Sequence, residues 1–106
     1  MKAMVVKDEK LVLTDVEMPN VNDDEVRIKI KAIGINRADL LQKKGTYPSP
    51  KGWPEWPGLE VSGVVDAMGE IAKQKGRFKI GDRVCALLGG GGYAEYVCAP
   101  EGMVMR

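Results

Sequence analysis

Val26, Ile28, Ile30 and Ala32 alternate with Arg27, Lys29 and Lys31. A period of two puts one face of a strand in a core and the other in water. Parallel strands covered on both faces read instead as continuous apolar runs, so this alternation argues for an antiparallel sheet or barrel. Two shorter segments precede it. Lys2 to Val6 and Leu11 to Val16 read as strands around a charged turn at Asp8-Glu9-Lys10. Pro19 to Asp24 is a polar loop. Downstream, Leu59 to Met68, Arg83 to Leu88 and Tyr93 to Ala99 read as strands, punctuated by Gly69, Gly81-Asp82 and Pro100. Glu70 to Lys79 is basic and weakly patterned, and reads as a connection.

The period changes between Asn36 and Lys44. Asn36 suits an N-cap, and Asp39 three residues on makes a variant of the capping box. Leu40 and Leu41 supply an apolar side, and Gly45 is a good stop at C′. The spacing predicts a helix of about two turns, too short to stand without the sheet. On it, Arg37 and Asp39 are expected to pair locally. Gly45 to Gly58 follows as a long loop with Pro48, Pro50, Pro54, Pro57, Trp53, Trp56 and Tyr47. Proline stiffens it, and such a loop is either a lid on a core or the lip of a pocket. Trp53 and Trp56 are expected to cover the barrel mouth rather than touch substrate. Short strands, Gly/Pro turns and one brief helix predict a mainly β, small-barrel fold over residues 1–106, with no βαβ unit.

Composition narrows the function classes. With 106 residues there is room for one domain, and a net charge of +1 gives no electrostatic reason to expect nucleic acid. No apolar run approaches the roughly 18–20 residues of a membrane span. The N-terminus lacks the apolar block and cleavage site of a secretory signal, so the chain is expected to be cytoplasmic. Of the two cysteines, Cys85 and Cys98, the expectation is buried free thiols. They fall in strands expected to be neighbours, which leaves a disulfide open.

The run Gly89 to Gly92 invites a dinucleotide reading. Such a loop must follow a strand and open a helix. Here it leads into Tyr93-Ala94-Glu95-Tyr96-Val97, which is strand-like. It is a tight connection between strands, a place where a ligand approaches the backbone closely, as at Gly91, or both at once.

A series of motifs then carries a resemblance. Gly34-Ile35-Asn36-Arg37-Ala38-Asp39-Leu40-Leu41-Gln42, Gly45-Thr46-Tyr47-Pro48 and Gly58-Leu59-Glu60-Val61-Ser62-Gly63 come first. Gly81-Asp82-Arg83-Val84 and Gly91-Gly92-Tyr93-Ala94-Glu95-Tyr96 follow in order. Together they resemble the N-terminal, GroES-like domain of medium-chain dehydrogenase/reductases. Within that superfamily they are similar to the zinc-independent quinone oxidoreductases, of the p53-inducible type. The resemblance implies a partly open GroES-like β-barrel that packs on a nucleotide-binding Rossmann domain absent from this chain, with NADP bound mainly by that domain.

The same resemblance speaks about zinc. Zinc-dependent relatives carry Cys-His where this chain has Asn36-Arg37, and His before Glu where it has Leu59-Glu60. A catalytic zinc takes three N, S or O ligands with an open fourth position. This chain has no histidine at all, so no metal is expected. Without that Lewis acid, quinones and enones are the easier hydride acceptors, because hydrogen bonds alone can hold their oxyanion. The resemblance implies Asn36 and Tyr47 as the groups that meet substrate, and Tyr93, Glu60 and Gly91 are expected to line the cleft; Tyr47 can alternatively pack on the barrel, and Tyr93 can fill the strand interface. Asn36 can alternatively cap its helix, and one amide does not easily do both. By itself the chain is expected to be inactive. Missing barrel strands would leave an unpaired edge, so a homodimer or edge-to-edge association is expected. A different class stays open: a freestanding GroES-like binding or assembly module without catalysis.

Overall fold

The computed structural model describes residues 1–44 and 50–106. Strands β1 (Lys2–Lys7) and β2 (Lys10–Asp15) pair as an antiparallel hairpin with Val5 opposite Val12. Its turn residues, Asp8 and Glu9, both take positive φ (51° and 62°). That is the twist a two-residue hairpin loop needs. The main sheet is antiparallel throughout. It contains β3 (Glu25–Ile33), β4 (Glu60–Met68), β5 (Arg83–Leu87), β6 (Tyr96–Pro100) and β7 (Val104–Met105). The strand order is β6-β3-β4-β5-β7, and the sheet curls into a half-barrel of GroES-like form. Val26, Ile28, Val61, Val65, Val84, Ala86, Val97, Ala99 and Val104 fill its inner face. Among the described residues no helix is long and apolar enough to cross a membrane.

The alternation of β3 holds only as far as Ile30. The register runs Ile30 to Gly63 and then Ala32 to Ser62, so Lys31 is an extra residue. An inserted residue moves every later side chain to the other face. Ala32 is therefore exposed, and Ile33, not Ala32, sits opposite the buried Val61. A second irregularity lies between Arg27 and Ile28, where the partner skips Asp66. Asp66 there accepts from Nε and Nη2 of Arg27, at 2.9 and 3.1 Å.

Helix α1 (Arg37–Lys44) forms where the capping pattern predicts it, but it faces the other way. Asp39 and Gln42 are its buried side chains, while Leu40 and Leu41 are 56% and 39% exposed. Asp39 is engaged elsewhere, and no ion pair joins it to Arg37 among the described residues. The basic connection contains a further helix, α2 (Glu70–Lys75), where the sequence pattern predicts none. Ala72 is its only buried residue, its N–H donating to Asp23 O, so no apolar stripe announces it. Nor does the chain stop pairing at Pro100. A 3-10 turn (Glu101–Met103) leads to β7, with buried Glu101 held by Lys75 and Arg77. Strands β5 and β6 are not neighbours, and Cys85 and Cys98 are free thiols.

The loop before β4 and the glycine run close onto each other. Trp56 Nε1 donates to Gly91 O at 3.0 Å, and the N–H groups of Gly91, Gly92 and Tyr93 donate to the carbonyls of Trp56, Gly58 and Pro57. Gly58 has φ +117°, and a Cβ there would lie 2.5 Å from Gly92 Cα. Both the dihedral and the contact demand glycine. Gly58→Ala should therefore lose about 1–3 kcal/mol or more in urea unfolding. Gly102→Ala, where the added carbon meets nothing within 4 Å, should stay within about 0.5 kcal/mol of the parent. Equal midpoints for the two variants would contradict the packing described.

Candidate functional site

The site is built where α1 leaves the sheet. Asn36 is the residue before the helix, and its N–H donates to the Asp39 carboxylate at 3.0 Å. The box is thus closed by Asp39 alone. The Asn36 side chain does not cap. Its Nδ2 donates to Glu60 Oε1 at 3.3 Å, across to the first residue of β4. The absence of a side chain at Gly34 leaves room for that carboxylate, which a Cβ there would strike. Gly34 N–H also donates to Glu60 O at 2.9 Å. Asn36 is half-buried and Glu60 exposed, so one amide proton is directed by the protein while the group stays within reach of solvent.

Tyr93 approaches from the opposite side. Its N–H donates to Pro57 O at 2.9 Å, its carbonyl accepts from Met4 N–H at 2.8 Å, and its hydroxyl donates to Asp39 Oδ2 at 2.7 Å. The main-chain contact with Met4, and that of Glu95 N–H with Lys2 O, explain why β6 begins at Tyr96 rather than Tyr93. Burial, and then the Asp39 hydrogen bond and charge, push the phenol up to about 12. Tyr93 thus stands against the helix with its proton given to Asp39 in a hydrogen bond. Asp39 is 3% exposed, and its Oδ1 has no hydrogen-bond partner among the described residues. Gln42, one turn on, donates from Nε2 to Gly89 O at 3.3 Å.

Sequence reasoning names Asn36, Glu60 and Tyr93, and the structure links all three through hydrogen bonds centred on Asp39 and Asn36. It misses Asp39 and Gln42 as the buried side of the helix. The available signal is the lack of a continuous apolar stripe in a helix that must nevertheless dock. Gly91 is buried, with Pro54 where its Cβ would be. Tyr47 lies outside the described residues.

Of two clefts in the domain, one borders this region. A groove of about 190 Å³ is lined by Ala32, Ile33, Gly34, Glu60, Ser62 and Cys85. The larger, about 320 Å³, is remote from Asn36 and borders Met18, Glu25, Trp56, Tyr96 and Cys98. Size favours the second and chemistry the first. Burial first, then the charge of Glu25, pushes the Cys98 thiol up to about 12, so it is no thiolate nucleophile near neutrality. The Asn36–Glu60 side has the directed donor and is the stronger candidate.

Neither a metal nor a dinucleotide finds its usual cradle among the described residues. No three His, Cys, Asp or Glu side chains of these residues stand together to hold a metal ion. At Gly89 the space a Cβ would need holds the Trp53 ring, as Pro54 does at Gly91, and the run leads to β6 instead of a helix. A pyrophosphate has no helix N-terminus to meet there.

A half-open antiparallel barrel carrying one capped helix beside a shallow groove fits a GroES-like domain. The model of the alcohol dehydrogenase GroES-like domain matches residues 22–106. The chain belongs to that family, within the medium-chain dehydrogenase/reductase superfamily. It is 39% identical over 97 residues to a synaptic vesicle membrane protein VAT-1 homolog-like of Mus musculus, covering 92% of this chain and 22% of that one. It is 40% identical over 92 residues to a quinone oxidoreductase of Sus scrofa, covering 86% and 27%. The solved quinone oxidoreductase of Thermus thermophilus, determined also in complex with NADPH, matches with a TM-score of 0.74 at 33% identity. That match covers 100% of this chain and 32% of that structure. The chain therefore spans about a quarter of the length of these curated relatives.

The Tyr93 environment is open to direct measurement. Its phenol should ionise near pH 12 in the folded chain, against about 10 when unfolded. The stability this contributes is complete below about pH 10 and is lost as pH rises toward 12. Ultraviolet phenolate titration should show one late tyrosine step that Tyr93→Phe removes. A late step surviving in that variant would place the shifted phenol elsewhere.

Proposed function

We propose that this chain is the substrate-side domain of a zinc-independent, NADPH-dependent quinone or enone oxidoreductase of the cytoplasm. The observation that carries the reading is the Asn36 amide. It is not spent on capping, it is oriented by Glu60, and it stands beside Ile35 (83% exposed) and Leu40 (56% exposed). Relatives that bear the name quinone oxidoreductase support the same class of substrate.

The chemistry asked of these residues is modest. A quinone or enone carbonyl becomes electron-rich as its conjugated system is reduced. An amide N–H placed at that oxygen gains strength as the charge develops, so it favours the transition state over the ground state. Tyr47, just beyond α1 in sequence, is proposed as a second donor and a stacking face for a planar ring. Exposed Ile35 and Leu40 offer apolar surface to that ring. The hydride donor has no phosphate site among the described residues and would be held outside them. The open edge of the sheet would serve association between copies.

In the full-length protein, Asn36→Ala should lower kcat for NADPH-dependent reduction of para-benzoquinone by about 100-fold, the size seen when one oxyanion donor is removed. Tyr47→Phe should lower it less. The 106-residue chain alone should give no turnover. Full activity in Asn36→Ala would refute the site, and turnover by the isolated chain would refute the division of labour.

A further inference from the structure

Helix α1 has an unusual way of attaching to the sheet. Its fully buried side chains are Asp39 and Gln42, while Leu40 is mostly exposed and Leu41 only partly covered. Capping alone does not require this. A carboxylate three residues after the cap can bond the cap N–H from the helix surface, in contact with water. Here the carboxylate is buried, and no cation pairs with it among the described residues, which is unfavourable for a charge. A single oxygen, Oδ2, accepts from the Asn36 N–H at 3.0 Å and from the Tyr93 hydroxyl at 2.7 Å, the latter joining residues 54 apart in sequence.

We propose that Asp39 is a positioning residue: by tying the helix start to Tyr93 it fixes where the Asn36 side-chain amide is presented. Asparagine is itself among the best N-caps. Its side chain stays on Glu60, 3.3 Å away, because the Asp39 N–H that it would cap already donates to the Asn36 carbonyl at 3.0 Å and the helix start is held against the 89–93 segment. Loosening Asp39 lets the Asn36 side chain turn back onto its own helix, and the directed donor is lost. The consequence for turnover rests on the oxidoreductase reading. The positioning itself does not.

Asp39→Glu separates positioning from capping. Glutamate is the preferred residue of a capping box, so a purely capping role predicts no loss. Its extra methylene cannot keep the Tyr93 hydroxyl and the Asn36 N–H on the same oxygen. Asp39→Asn keeps the length and one acceptor oxygen. By nuclear magnetic resonance on this chain, the Asn36 side-chain amide should show contacts to Glu60 in the parent and in Asp39→Asn. In Asp39→Glu those contacts should shift to the first turn of α1, and the Tyr93 phenol should ionise closer to its ordinary value of about 10. In the full-length protein kcat for para-benzoquinone should fall roughly 10- to 100-fold in Asp39→Glu with KM little changed, and recover in Asp39→Asn. Unchanged Asn36 contacts in Asp39→Glu would overturn the positioning role. Shifted contacts with unaltered turnover would uphold it and count against the oxidoreductase reading alone.

Discussion

A buried carboxylate held by hydrogen bonds decides how this domain presents its site. Asp39 accepts the Asn36 N–H and the Tyr93 hydroxyl on one oxygen, and neither leucine of α1 is fully buried. Hydrogen bonds are directional, whereas apolar packing is not. A helix held by them keeps one rotation about its axis. That rotation puts the Asn36 amide on Glu60 and leaves Leu40 facing out. The dependence runs further back. Tyr93 and Gly89 receive the helix only because the glycine run is fixed against Trp53, Pro54 and Pro57. That closure in turn needs a glycine at position 58.

Much of the sheet was legible because period-two patterning is a strong signal where one face is buried. The core of β3 and strands β4 and β5 follow it, whereas the β1–β2 hairpin was legible from its apolar runs around a charged turn. It failed where one residue interrupts the pleat. Lys31 carries no sequence mark of a bulge, yet it moves Ala32 to the surface. Helix α1 was found through its capping pattern, which reports on backbone hydrogen bonds. Its orientation was misread because amphipathic reasoning assumes that leucine goes inside. Helix α2 escaped notice for lack of length, with Ala72 its one buried side chain. The glycine run was legible as a connection, but not as the floor for two tryptophans. That contact joins residues more than 30 apart in sequence, beyond any local pattern.

Membership of the GroES-like family fixes the fold and narrows the chemistry. Its relatives bear different names, a quinone oxidoreductase in one case and a VAT-1 homolog-like protein in another. Fold alone does not choose between them. The proposed reading rests on local geometry, an Asn36 amide that does not cap its helix and is held by Glu60, which would suit a carbonyl acceptor. The larger cleft beside Tyr96 and Cys98 does not include Asn36 or Glu60 in its lining.

The most direct test is a crystal structure of the full-length protein with para-benzoquinone bound. The account predicts a quinone oxygen about 2.7–3.2 Å from Asn36 Nδ2, with the ring against Ile35 or Leu40. A quinone seated instead between Trp56 and Tyr96, with Asn36 untouched, would contradict it.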